Sequence, residues 1–189
     1  MSLILTPAQF VKQSTIKIAN CDIKKALAKF EENGKNFLAL GTFKSDKTNI
    51  RTMLKGELIS DGISSIEFNR VPSYSLGIRL ENDEDLEAFE EFNNILSSTL
   101  AEAGCEDWEL TNVLKDDKVY IKLKVVDKKR FAILSNIKLD PKKLRDAGIY
   151  RGQKVTVFGE LGIYCHLTDK KAGVTFNARK IVFEEECEE

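Results

Sequence analysis

The sequence predicts a mainly β chain with inserted helices, an α+β arrangement whose strands close into a small antiparallel barrel. Many short apolar segments are separated by polar breaks, a few stretches switch from alternation to helical spacing, and Gly159 and Gly162 sit where a strand has to bend sharply. With 189 residues and 42% hydrophobic content, the chain is long enough to bury a core, so disorder throughout is excluded. Internal repeats and Pro/Gly/Ser linkers are absent. One composite domain over residues 1–183, followed by an acidic tail at 184–189, is the economical division.

The elements follow in order. Residues 22–32 (DIKKALAKFEE) place Ile23, Ala26, Leu27 and Phe30 at i, i+3, i+4 and i+7, and Asn33-Gly34 supplies a stop, so a short amphipathic helix is expected. Residues 36–43, 50–59, 65–71 and 73–80 are apolar or aromatic runs between polar breaks and read as an antiparallel meander. The period then changes: Leu86, Phe89, Ile95, Leu96 and Leu100 share a helical face over 83–103, with Asp83 to Asp85 at the favourable end of the helix dipole and Gly104 ending it. Residues 118–126 (KVYIKLKVV) alternate Val119, Ile121, Leu123 and Val125 with Tyr120, Lys122 and Lys124, giving one core face and one face with a phenol and two ammonium groups. A further strand is read at 129–137, a short helix at 141–147 after an Asp140 cap, and two last strands at 154–164 and 173–183 joined by 167–171.

Charge is segregated although the net charge is only −1. Residues 81–109 hold eleven acids and no Lys or Arg, residues 115–154 hold thirteen bases against five acids, and 184–189 add five acids. A neutral total therefore conceals a basic surface fit for a polyanion. Residues 1–10 lack the basic start and apolar run of a secretory signal, and no stretch approaches a membrane span, so an intracellular protein is expected. The four cysteines, Cys21, Cys105, Cys165 and Cys187, are far apart, and one histidine accompanies them. Cys165-His166 falls short of four spaced zinc ligands, and reduced thiols fit better than a disulfide scaffold.

No catalytic signature stands out. GxSxG, HExxH, Walker and GxGxxG patterns are missing, and the segment 148–152 (GIYRG) reads as a turn, not a phosphate loop. A metal-dependent nuclease stays as an alternative because acids are plentiful, but none forms a recognisable spaced set. No cofactor is called for.

Binding has better support. Sequence-tolerant recognition of single strands combines a basic groove with aromatic platforms. Tyr120, Tyr150 and Tyr164, with Phe131, Phe158 and Phe176, are interleaved with Lys122, Lys124, Lys128, Lys129, Arg130, Arg151, Lys154, Lys170, Lys171 and Arg179. Phenylalanine lacks a polar end and is read first as core, so the tyrosines are the stronger platforms.

The segment 151–189 (RGQKVTVFGELGIYCHLTDKKAGVTFNARKIVFEEECEE) also resembles the carboxy-terminal part of the single-stranded DNA-binding proteins of short-tailed phages and large DNA viruses. The shared pattern is Gly152 before an alternating strand (Val155, Val157), Tyr164 shortly after, a polar hairpin, Ala172-Gly173-Val174-Thr175-Phe176, a last apolar strand (Ile181 to Phe183) and an acidic tail. That resemblance implies an OB-like barrel coating single-stranded DNA in replication or recombination, at the site of viral or phage DNA synthesis in cytoplasm or nucleus. It also implies a tail (Glu184, Glu185, Glu186, Glu188, Glu189) that contacts replication proteins. RNA is the other polyanion open to such a groove. The amino-terminal half is read as an elaboration of the barrel or a homodimerisation element. The alternative outside nucleic-acid binding is a protein-interaction module using the acidic helix 83–103 and a strand edge.

Overall fold

The computed structural model describes residues 3–13, 17–18, 23–33, 37–44, 50–59, 64–68, 71–111, 114–115, 118–123, 133–134 and 150–184. In chain order the elements are β1 (Leu3–Leu5), α1 (Pro7–Gln13), β2 (Lys17–Ile18), α2 (Ile23–Asn33), β3 (Phe37–Lys44), β4 (Ile50–Leu58), β5 (Ser64–Phe68), β6 (Val71–Leu80), α3 (Asp83–Glu102), β7 (Glu109–Thr111), β8 (Leu114–Lys115), β9 (Lys118–Leu123), β10 (Ile133–Leu134), β11 (Lys154–His166) and β12 (Lys171–Phe183). The helix expected at 141–147 and most of the strand expected at 129–137 lie outside the described residues.

A ring of pairings forms the barrel. β4 runs antiparallel to β6, β6 antiparallel to β9, β9 parallel to β12, β12 antiparallel to β11, and β11 returns antiparallel to β4. This is a mainly β fold with inserted helices, and its ring of five strands is of the OB type, mixed because of the parallel contact between β9 and β12. Inward positions alternate as the pleat requires. Leu54, Ile78, Val119, Val157, Phe176 and Ile181 are fully excluded from solvent, each contributing about 1.5–3 kcal/mol relative to exposure.

The meander expected over 36–80 is corrected in its pairing. β5 and β6 do form a hairpin, but β3 and β4 are both partners of β11, which pairs with β4 over Lys154–Gly159 and with β3 over Gly162–His166. The long strand changes neighbour at its glycines, and its register against β12 slips between Phe158 and Gly159. A Cβ on Gly159 would lie 2.3 Å from the Asn177 carbonyl oxygen and 2.7 Å from the Phe176 ring, so only glycine permits that approach. Alternation marks a strand; it does not choose the neighbour.

The acidic helix α3 packs against α1, β6 and β12. Phe89, Phe92, Leu96 and Leu100 are buried, with Phe92 meeting the Phe10 ring edge-on at 5.7 Å and the Phe89 ring at 6.1 Å. Asn82 caps the helix, its Oδ1 accepting from the Glu84 N–H at 2.9 Å.

Helix α1 follows Thr6, whose Oγ1 accepts from the Gln9 N–H at 3.3 Å while Gln9 Oε1 accepts from the Thr6 N–H at 3.1 Å, a reciprocal capping box with Pro7 at the first helical position. Buried Asp85 of α3 adds to it by accepting from the Ala8 N–H at 2.9 Å, and burial pushes its carboxyl above the usual range. Lys12 donates to Glu84 at 2.6 Å beside it.

Candidate nucleic-acid interface

The β6–β9 pair brings several of the expected residues into one register. Leu76, Ile78 and Leu80 of β6 and Val119 of β9 are buried, while Arg79 of β6 is exposed and Lys118 of β9 half-buried. Register sets Lys122 beside Ser75, Tyr120 beside Gly77 and Lys118 beside Arg79. An aromatic position is thus in register with a glycine, between a Lys–Ser pair and an Arg–Lys pair. On the far side of β9, Asn177 of β12 is in register with Lys122.

The Arg79–Lys118 pair extends into a row across the sheet. Register runs from Lys154 of β11 to Glu57 of β4, to Arg79 of β6, to Lys118 of β9 and to Lys115 of β8. Arg79 Nη1 donates to Glu57 Oε1 at 3.0 Å, which orients the guanidinium. Lys154 Nζ donates to Glu81 Oε1 at 2.9 Å, a bond that holds its ammonium above the ordinary lysine range.

A turn stands over the end of this row. Gly152 adopts φ +87, a left-handed conformation that glycine accepts without a Cβ penalty. Its N–H donates to the Leu58 carbonyl at 2.8 Å, and the Leu58 N–H donates to the Gln153 carbonyl at 3.0 Å. These bonds place Arg151 at the mouth of a cleft of about 280 Å³ lined by Glu57, Leu58, Ile59, Arg79, Lys118, Arg151 and Gly152. Tyr150, 38% exposed, adjoins it.

The residues expected from sequence therefore divide into groups. Tyr120 and Lys122 lie on β9, in register with Gly77 and Ser75, their side chains outside the described residues, while Tyr150, Arg151 and Lys154 gather near the cleft. Tyr164, Lys170 and Lys171 belong to the other end of the β11–β12 hairpin, where Lys170 donates to Asp107, Lys171 lies 3.2 Å from Glu109, and the Glu109 N–H donates to the Lys170 carbonyl at 2.8 Å. The Lys170–Asp107 bond raises the ammonium and lowers the carboxyl, so both are charged near neutrality.

Arg179 donates to Glu160 at 3.2 Å on the outer face of the hairpin. Tyr164 is half-buried, its ring lying across Gly173, where a Cβ would come within 2.8 Å of it. Phe176 is core and Phe158 half-buried. Glu184 leaves β12 beside the row, its N–H donating to the Lys154 carbonyl at 2.9 Å. Lys124, Lys128, Lys129, Arg130, Glu185, Glu186, Glu188 and Glu189 lie outside the described residues.

Arg79, Lys118 and Glu57 were not among the expected residues. Lys118 had a signal, since it precedes Tyr120 by two in the same alternating strand; Arg79 had none, because only register brings β6 beside β9. Among the described residues, no group of three or more His, Cys, Asp or Glu side chains is placed to hold a metal ion, and no helix is long and apolar enough to cross a membrane.

No known protein family matches the chain, and no curated protein matches it by sequence. Among solved structures it is similar to gp2.5, a single-stranded DNA-binding protein encoded by bacteriophage T7, with 11% sequence identity and a TM-score of 0.43 over 72% of this chain and 96% of that one.

Proposed function

We propose that this chain is a non-enzymatic protein of DNA replication or recombination that holds single-stranded DNA on the outward face of β6 and β9 without reading sequence. The observation that carries the reading is the register column in which the Tyr120 position faces Gly77 between the Lys122–Ser75 and Arg79–Lys118 pairs. A platform of that kind suits an unpaired base, which has a π-face whatever its identity, while cations on either side meet the phosphates. Sugar and phosphate contacts position a strand without sequence information.

The same reading gives the tail a role. Glu184 starts it next to Lys154, at one end of the basic row, so the carboxylates beyond it are tethered near the phosphate sites. They occupy those sites when DNA is absent and become available to replication proteins when DNA displaces them. The acidic helix is less suited to be the main partner surface, because its apolar face, Asp85 and Glu84 are engaged by α1 and the barrel.

The test is a titration of fluorescent oligo-dT at two salt concentrations, with duplex DNA and single-stranded RNA as competitors. Salt-sensitive binding that duplex fails to displace supports the reading; no binding at low salt sinks it, and preference for RNA reassigns the ligand. Deleting residues 184–189 is expected to tighten binding at low salt. Unchanged affinity after deletion removes the competing role of the tail and leaves strand binding standing.

A further inference from the structure

We propose that β1 and α1 form a pH-sensitive arm, latched to α3 by the Asp85 carboxyl while it holds its proton and loosened when that carboxyl ionises. Such a latch works whether or not the chain carries a nucleic acid.

The arm is short and depends on its docking. β1 contributes three residues to a parallel ladder with β4, from Leu3 in register with Ile50 to Leu5 in register with Thr52. α1 has seven residues, too few for a helix to persist in water without a surface to pack on. That surface is α3, where Phe10 meets the Phe92 ring edge-on at 5.7 Å and the Ala8 N–H donates to Asp85 Oδ1 at 2.9 Å. Release of the arm uncovers the 50–52 edge of β4 and the side of Phe92 that Phe10 covers.

Asp85 is 4% exposed, and among the described residues no other carboxylate or cation is buried. The groups that meet it from α1 and the residue before it are the Ala8 N–H and the Thr6 hydroxyl, both hydrogen-bonded to its carboxyl. The charges acting on it are Lys12 of α1 and Glu84 of its own helix, which are bonded to each other at 2.6 Å. The buried residues of β6 and β12, the strands packed on α3, are apolar, and β4, packed on α1, adds the neutral Thr52. Burial outweighs the hydrogen bonds and holds the carboxyl above its usual range. Released from α1, the carboxyl stands on the first turn of α3 and regains water, returning towards the ordinary value of about 3.9. Docking is therefore fully favoured below that value and weakens as pH rises through the docked one. The Lys12–Glu84 pair acts in the opposite sense, forming as Glu84 ionises, but both side chains are more than half exposed and the pair contributes little.

Hydrogen exchange of the full chain, followed by mass spectrometry from about pH 4.5 to about pH 7 and divided by the intrinsic rate at each pH, measures how firmly the arm is held. Peptides within 3–13 report the arm, and peptides of β11 and β12 report the barrel. Protection of the arm is expected to fall several-fold as pH rises and then level off, while β11 and β12 keep theirs. A tenfold fall corresponds to about one unit between the docked and released carboxyl. Asp85→Asn keeps an oxygen for the Ala8 N–H and has no titratable proton, so it should hold the arm equally at every pH. Glu84→Gln removes the Lys12 partner and should still fall as the parent does. Parent protection that stays level or rises with pH overturns the latch whether or not either variant folds, and so does a fall shared by β11 and β12, which marks titration of the whole fold. A fall that persists in Asp85→Asn, or vanishes in Glu84→Gln, overturns the assignment to Asp85.

Discussion

Replacing Lys118 by Gln removes one charge from the basic row while leaving the strand in place, because Lys118 is only half-buried and forms no ion pair among the described residues. On the proposed reading the cations that meet a strand are Arg79, Lys118 and Arg151, which line the cleft, and Lys122, in register with Ser75 on the same ladder. If each meets one phosphate, log Kd should change with log salt at a slope of about 2.8, since a single strand releases roughly 0.7 counterion per contact. Raising salt from 50 to 200 mM then weakens binding about 50-fold in the parent, and about 20-fold in the variant, whose slope falls to about 2.1. Anisotropy titrations of oligo-dT at four or five salt concentrations measure both slopes. Lys170→Gln is the comparison, because its ammonium is bonded to Asp107 at the far end of the hairpin, and it should alter the slope less. Equal slopes for parent and Lys118→Gln would refute the assignment of this row to phosphate contacts, whatever happened to affinity.

Other substitutions test stacking and the scaffold. Tyr120→Ala should weaken oligo-dT binding by about 1–3 kcal/mol with little change in salt slope, because stacking releases no counterions; a changed slope at unchanged low-salt affinity would contradict a stacking role. Phe92→Ala, removing a fully buried ring packed on Phe10 and Phe89, should cost about 3–5 kcal/mol in urea unfolding. Gly159→Ala forces a Cβ against the Asn177 carbonyl and should cost about 1–3 kcal/mol by the same assay, with stability equal to the parent counting against the close approach. For Asp85, burial raises the folded pKa above the unfolded one, so its contribution is fully present below the unfolded value and is lost as pH rises through the folded value. Asp85→Asn should therefore gain on the parent as pH rises from acid to neutral, and parallel stability curves would argue against that burial.

Local signals in the chain were readable where the physics is local. Alternation in KVYIKL placed β9 with Val119 inward, the spacing of Phe89, Leu96 and Leu100 with Gly104 placed α3, and Gly159 and Gly162 marked the bend in β11. Helix α1 was missed, although Thr6-Pro7-Ala8-Gln9 is a capping-box pattern with proline at its first position, because so short a helix leaves little periodicity. The basic residues were found as a class, because charge segregation survives without coordinates.

Their grouping was not legible, and the reason is that strand neighbours are chosen by closure of the barrel rather than by adjacency in sequence. Glu57, Arg79, Lys118 and Lys154 come from separate strands and form one row only because β11 bends at its glycines to pair with β4 while β6 pairs with β9. The same closure carries Lys170 and Lys171 to Asp107 and Glu109 and turns part of the expected patch into ion pairs. Sequence by itself determined the element types and the inward faces of the described strands, which depend on neighbours a few residues apart. Tertiary structure alone decided which cations stand together and which are matched by acids, since electrostatic attraction depends on distance through space and register sets that distance.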